Sequence, residues 1–184
     1  MDVEPFMQGS SIWTFADIFE ELHQFTEEFH GGFGLQTIHG IPKPNFYGLK
    51  LMGMLADNRI ELGPDTTDKE IGAAAFEDSD KIQILLFRQK MKQVDLPAER
   101  IEVSVAMDAV NGAKLYRIDE DHCNPLKLFE EMGSPKYLTP KETAHIEEYS
   151  AMAPEDIQVD FQDGYAKFAV ELGVNDIYLV TVKK

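Results

Sequence analysis

The chain has 184 residues and a formal net charge of -16, enough length for one ordinary domain with a real core. A closed TIM barrel takes roughly 200 residues or more, so an intact barrel plus a second domain does not fit. The acidic balance excludes nucleic acid and anionic membranes as partners, since no basic patch is present to release counterions. The single cysteine, Cys123, excludes an intramolecular disulfide framework.

Residues 1–10 show little periodicity. Residues 11–16 read as a strand, placing Ile12, Trp13 and Phe15 among small or polar neighbours. An acidic exit follows at Asp17, Glu20 and Glu21. Residues 17–28 are helix-compatible, with Ile18, Leu22 and Phe25 at helical spacing. Then comes a glycine-dense loop, Gly31, Gly32 and Gly34, flanked by Phe29 and Phe33. A tryptophan beside carboxylates and a Gly/His loop has the chemistry of a sugar site. The indole offers a flat apolar face to a pyranose, and carboxylates accept paired hydrogen bonds from vicinal hydroxyls.

Pro42 and Pro44 stop this loop, and Pro44 is suited to a first helical position. Tyr47, Leu51 and Leu55, with Met52 and Met54, form an apolar stripe that predicts a helix over 45–55, ending at Asp57 and Asn58. Residues 70–76 and 82–88 predict two paired strands around a turn at Asp78, Ser79 and Asp80. Ile101, Val103, Val105 and Met107 alternate with Glu102, Ser104 and Ala106, so one face is buried and one wet. Asn111-Gly112 is a hairpin signal leading into a strand over 114–119. Asn124 with Pro125, and Thr139 with Pro140 and Glu142, predict two helix starts, the second a capping box. Ile157, Val159 and Phe161 alternate, a turn follows at 162–164, and Phe168, Val170 and Leu172 alternate back. A strand over 177–182 closes the chain. About seven short strands with turn signals predict an antiparallel β-sandwich with two inserted helices on one edge.

The run Trp13-Thr14-Phe15-Ala16-Asp17, then Phe19-Glu20-Glu21, His30-Gly31-Gly32-Phe33-Gly34-Leu35 and His39-Gly40-Ile41-Pro42-Lys43-Pro44, resembles glycoside hydrolase family 39. A second stretch, Arg117 to Pro125 followed by Glu131-Met132-Gly133-Ser134-Pro135, resembles the accessory domain of the same family. The β-xylosidase branch fits better than the iduronidase branch. The resemblance implies a fold that is mainly β, an accessory sandwich preceded by the last β/α unit of a TIM barrel. On it, residues 1–56 are the end of the catalytic barrel and 57–184 the accessory domain. It also implies a retaining glycosidase releasing terminal xylose from oligosaccharides or xylosides. In it Trp13 lines the sugar subsite and Glu20 and Glu21 hydrogen-bond the sugar hydroxyls. The acid/base and nucleophile belong to earlier barrel strands, and neither of their sequence contexts occurs before Trp13. The expectation is therefore a C-terminal portion, inactive by itself, with its stripe over 45–55 left without barrel partners and prone to self-association.

The other groups have blander readings. His30 and His39 lack zinc-type spacing and suit loop anchoring. Asp119, Glu120, Asp121 and His122 lack the alternating ligands and central glycine of a calcium loop and suit a capped turn. Cys123 has no accompanying base pattern. No cofactor or metal is expected. A substrate bearing a carboxylate would need a nearby cation, for which Lys43 is the candidate. No stretch has the length to span a bilayer and the N-terminus lacks a signal-peptide pattern, so the expected setting is the bacterial cytoplasm. The alternative to an enzyme is a non-catalytic carbohydrate-binding or interaction sandwich.

Overall fold

Alternation of apolar residues builds most of the architecture. The structure is a computed structural model that describes residues 9–18, 27–63, 70–90 and 96–184. Helix α1 spans Pro44–Met52, and strands β1 to β5 span Asn58–Ile60, Ile71–Glu77, Lys81–Arg88, Glu99–Ala106 and Ala113–Ile118. Helices α2 (Pro125–Glu131) and α3 (Pro140–Tyr149) come next, followed by β6 (Glu155–Asp156), β7 (Asp160–Gln162), β8 (Tyr165–Leu172) and β9 (Ile177–Lys183). The strands form a six-stranded sheet in the order β1-β2-β3-β9-β5-β6 and a three-stranded sheet in the order β4-β8-β7. Every pairing is antiparallel.

The expected sandwich is present. Ile82, Ile84 and Leu86 of β3, with Val180 and Val182 of β9, meet Ile101 of β4 and the inward row Ala166, Phe168, Val170 and Leu172 of β8. β8 alternates buried and wetter positions because one of its faces is solvated. β3 reads as a nearly continuous apolar run for the opposite reason. It lies between β2 and β9, and its outer face is covered by α1, where Leu85 and Leu179 pack on Tyr47 and Leu51. Gln83 sits in the same covered face. Its amide accepts from Ala56 N–H at 2.8 Å and donates to the Met54 carbonyl at 3.1 Å, so no buried polar group is left wanting there.

Several expectations need correction. Residues 11–16 are not a regular strand. A strand persists only where a neighbour pairs its backbone, and the described pairing is one parallel bridge between Ala16 and Gln36. The helix expected over 45–55 ends at Met52, where Gly53 caps it and a tighter turn follows; Asn58 opens β1. Asn111-Gly112 closes no hairpin. Its Gly112 adopts φ 109°, and the pair carries the chain from β4 in the small sheet to β5 in the large one. There Asn111 N–H donates to the Lys183 carbonyl and Lys183 N–H to the Gly112 carbonyl, both at 2.9 Å. The true two-residue hairpin is Asp163-Gly164, both at positive φ, between the paired Gln162 and Tyr165. The capping box at α3 forms, with Glu142 N–H on Thr139 Oγ1 and Thr139 N–H on Glu142 Oε2. Asn124 does not cap α2 with its side chain, which donates to the Glu120 carbonyl instead.

The stripe on α1 is covered rather than stranded. Tyr47 and Leu51 are buried against the large sheet, while Met52 is 55% exposed. Exposed apolar surface gathers elsewhere, at Ile12, Trp13, Phe15, Ile18 and Phe33. Helices α2 and α3 pack through Phe129, Leu138 and Ile146 onto Ile41 and Phe29 of the loop that follows Trp13. No helix among the described residues is long and apolar enough to cross a membrane.

Candidate functional site

The site region is built from two described segments, residues 9–18 and 27–43. Asp17 is the buried residue of the first. Its side chain is 1% exposed, and both carboxylate oxygens accept from Lys43 Nζ at 2.9 Å. Gly34 N–H donates to the same carboxylate at 2.7 Å. Lys43 donates once more, to the Gly32 carbonyl at 2.7 Å. A carboxylate this deep needs a counter-charge and further donors to offset its desolvation, and here it has both.

The same geometry explains the glycines. A Cβ on Gly34 would lie 2.5 Å from the Ala16 carbonyl carbon and 2.6 Å from Asp17 Oδ1; one on Gly32 would lie 2.8 Å from Asp17 Oδ1. Close approach to Asp17 selects glycine at both positions. Gly31, at φ 86°, is selected by conformation instead. At the far end of the loop, Glu28 is buried and pairs with His39 Nδ1. Thr37 and Ile41 close a turn, Thr37 N–H on the Ile41 carbonyl at 2.9 Å and Ile41 N–H on Thr37 Oγ1 at 3.2 Å.

Trp13 stands at the edge of this framework, 63% exposed, beside Phe15 and close in sequence to the anchored Asp17. The Trp13–Thr14 peptide is cis. Glu20 and Glu21 lie outside the described residues. Lys43, the candidate for a substrate carboxylate, is committed to Asp17 and Gly32 and does not suit that role. Sequence reasoning did not single out Asp17 as an anchor. The signal that could have found it is weak, a lone lysine between two prolines.

The acidic stretch after β5 is a hydrogen-bonded turn, as expected. Asp119 Oδ1 accepts from Asp121 N–H, His122 N–H and the His122 ring at 2.9, 2.8 and 2.6 Å. Tyr178 Oη lies between two carboxylates, 3.2 Å from Asp119 Oδ2 and 3.1 Å from Asp176 Oδ2. Burial, and then the two carboxylates, raise the Tyr178 phenol well above its ordinary range. No group of three or more His, Cys, Asp or Glu among the described residues is placed to hold a metal. Cys123 is buried, and burial pushes its thiol up to about 12, which leaves almost no thiolate for nucleophilic attack at neutral pH.

Comparison with known proteins fits this architecture. The sequence matches the family model for glycosyl hydrolases family 39 over residues 1–161. It is 33% identical over 148 residues to a β-xylosidase of Caldicellulosiruptor saccharolyticus, covering 80% of this chain and 30% of that protein. It is 27% identical over 182 residues to a β-xylosidase of Geobacillus stearothermophilus, covering 97% of this chain and 34% of that one. The crystal structure of the GH39 enzyme from Xanthomonas axonopodis pv. citri superposes with a TM-score of 0.76 at 25% identity, over 98% of this chain and 38% of that one. A GH39 β-xylosidase from Caulobacter crescentus shares the fold, with a TM-score of 0.72 at 22% identity over 99% of this chain and 37% of its own. The chain thus spans about a third of the length of these relatives. With two thirds of the chain or more under one family model and the same sheets in its solved members, this protein belongs to glycosyl hydrolases family 39.

Proposed function

We propose that this chain is the C-terminal part of a retaining β-xylosidase-like glycosidase, acting on terminal xylose of oligosaccharides. It supplies Trp13, Glu20 and Glu21 to the sugar subsite and the accessory sandwich behind them. In this reading residues 1–56 belong to the catalytic barrel and residues 57–184 to the sandwich. The observation that carries it is the exposed Trp13, held beside a glycine loop by a buried ion pair, in a chain whose family relatives are named β-xylosidases.

The acid/base and nucleophile lie outside this chain. Retaining chemistry places two carboxyl groups about 5 Å apart on either side of the scissile bond. Glu20 and Glu21 are neighbours on one segment and cannot flank that bond. Their role is to accept hydrogen bonds from sugar hydroxyls, each charged bond contributing on the order of 1.5–3 kcal/mol.

The test is hydrolysis of an aryl β-xyloside by the purified 184-residue chain. No turnover above background is expected. Turnover that Glu20→Gln or Glu21→Gln abolishes would show that the chain is catalytic by itself and overturn the division of labour. Sedimentation is the companion measurement, because the exposed Ile12, Trp13, Phe15, Ile18 and Phe33 favour self-association.

A further inference from the structure

We propose that Asp17 and Lys43 are positioning residues whose buried ion pair sets the orientation of the Trp13 indole toward the sugar. This rests on the reading of Trp13 as part of the sugar subsite. The two residues are 26 positions apart in the chain, yet their side chains are 1% and 14% exposed and in direct contact. Residues 9–18 contribute to none of the three apolar clusters. Apolar packing therefore does not fix this segment, and its one buried side chain is Asp17.

The ion pair works together with a short set of backbone bonds. Leu35 N–H donates to the Thr14 carbonyl at 3.0 Å, Gln36 N–H to Phe15 at 3.1 Å, and Asp17 N–H to Gln36 at 2.9 Å. Lys43 N–H donates to the Leu35 carbonyl at 2.9 Å. Lys43 thus holds the middle strip from both its backbone and its ammonium, and Asp17 holds the tryptophan-bearing strip against it. Removing the ammonium leaves a buried carboxylate with one backbone donor, Gly34, among the described contacts. Solvation of that carboxylate then favours lifting the segment away from the loop. Trp13, four residues along, moves with it. A pyranose stacks on the indole only at one tilt and distance, and a misplacement of about 1 Å costs up to about 100-fold in well-oriented sites.

Trp13 is the only tryptophan in the sequence, so its fluorescence reports this segment alone. The experiment measures Trp13 anisotropy decay and titration with methyl β-xyloside for the 184-residue chain and for Asp17→Asn, Lys43→Met and Lys43→Arg. The far-UV circular dichroism spectrum monitors the sandwich. In Asp17→Asn and Lys43→Met the fast local depolarisation of Trp13 should grow and the xyloside dissociation constant rise about tenfold, with the sandwich spectrum unchanged. The double variant should be no worse than either single, because both remove the same contact. Lys43→Arg, which keeps the charge, should restore much of the wild-type anisotropy. Unchanged anisotropy in both neutral variants overturns the proposal, as does loss of the sandwich spectrum with every Lys43 replacement, which would make the pair purely structural. If anisotropy changes as expected while no form binds the xyloside, the positioning of the indole holds and the sugar-subsite reading fails.

Discussion

Arg88 crosses from the large sheet to meet Glu99 in the small one. It ends β3, its side chain is 3% exposed, and its Nη2 lies 2.7 Å from Glu99 Oε1 at the start of β4. Its Nη1 donates to the Pro97 carbonyl at 2.9 Å. The chain between these strands must pass from one sheet to the other, and the planar guanidinium clasps the far end of that passage. The Arg88 backbone is fixed as well, its N–H on the Asp176 carbonyl at 3.1 Å and its carbonyl on Asn175 N–H at 2.8 Å.

The two partners are unequal, so their removal should be unequal. Glu99 is 39% exposed, and water can solvate it once Arg88 is gone. Arg88 is buried and would keep the Pro97 carbonyl as its remaining side-chain partner among the described residues. Glu99→Ala should therefore cost about 2 kcal/mol and Arg88→Met about 1 kcal/mol. Urea denaturation of both variants checks the order; a larger loss in Arg88→Met would mean that guanidinium packing, not charge satisfaction, dominates.

Asp176 should make stability fall as pH rises. Burial raises its carboxyl pKa, the Asp119 charge adds to the rise, and hydrogen bonds from Gly173 N–H and the Tyr178 hydroxyl oppose it. A raised folded pKa means that the native state holds the proton more tightly than the unfolded chain. Its contribution is full below the unfolded value of about 3.9 and is lost as pH rises through the folded value. Asparagine keeps the acceptor oxygen without the charge. Asp176→Asn should thus melt about 1–3 °C above wild type at pH 7, with the advantage shrinking toward pH 4. A constant difference across that range would show that ionisation is not the cause.

The sandwich was legible where a local pattern and its tertiary outcome coincide. The unbroken run in β3 marks a strand covered on both faces, and Thr139 with Glu142 encodes a cap that no distant residue can alter. Two identical signals diverged: Asp163-Gly164 closes a hairpin and Asn111-Gly112 joins two sheets. Such a dipeptide specifies positive φ, not which strand will lie alongside. Asn124 went to the Glu120 carbonyl because a short polar side chain serves whichever local backbone group is near. Residues 11–16 carry strand alternation but lack a ladder, since pairing is supplied from elsewhere. At the site, Trp13 was readable from its chemistry, whereas Asp17–Lys43 joins positions 26 apart with nothing in one sequence to couple them.

The glycines of the site loop should respond to substitution in different ways. At Gly34 the added Cβ meets backbone atoms, Ala16 C and Asp17 N, both at 2.5 Å, and backbone cannot swing aside. Gly34→Ala should cost about 2–3 kcal/mol by overpacking. Gly31 has nothing within 4 Å of its would-be Cβ and a left-handed φ of 86°. Asparagine tolerates that region, so Gly31→Asn should cost less than about 1 kcal/mol. Thermal melts of both variants check the contrast, and equal losses would sink the close-approach explanation for Gly34.

Helix α1 should unfold together with the sandwich. Leu51 is fully buried among Leu85, Ile118, Cys123 and Leu179, which belong to β3, β5, β9 and the turn before α2. Replacing it with alanine removes transfer energy and leaves a cavity that strands on three sides cannot close, a loss of about 2–5 kcal/mol. Met52 is the neighbour that faces solvent, and Met52→Ala should change stability by less than about 0.5 kcal/mol. If α1 and the sheets form one cooperative unit, the backbone amides of residues 48–52 exchange with the same free energy as the central amides of β3 and β9, and Leu51→Ala lowers both equally. The proposed boundary at residue 56 predicts the opposite for an independent segment: rapid exchange in α1, with β3 and β9 unaffected by Leu51→Ala. Native-state hydrogen exchange on wild type and Leu51→Ala separates the two. The burial of Tyr47 and Leu51 on the sheet favours the single unit, so that α1 serves as the covering layer of the sandwich whichever other surface it meets.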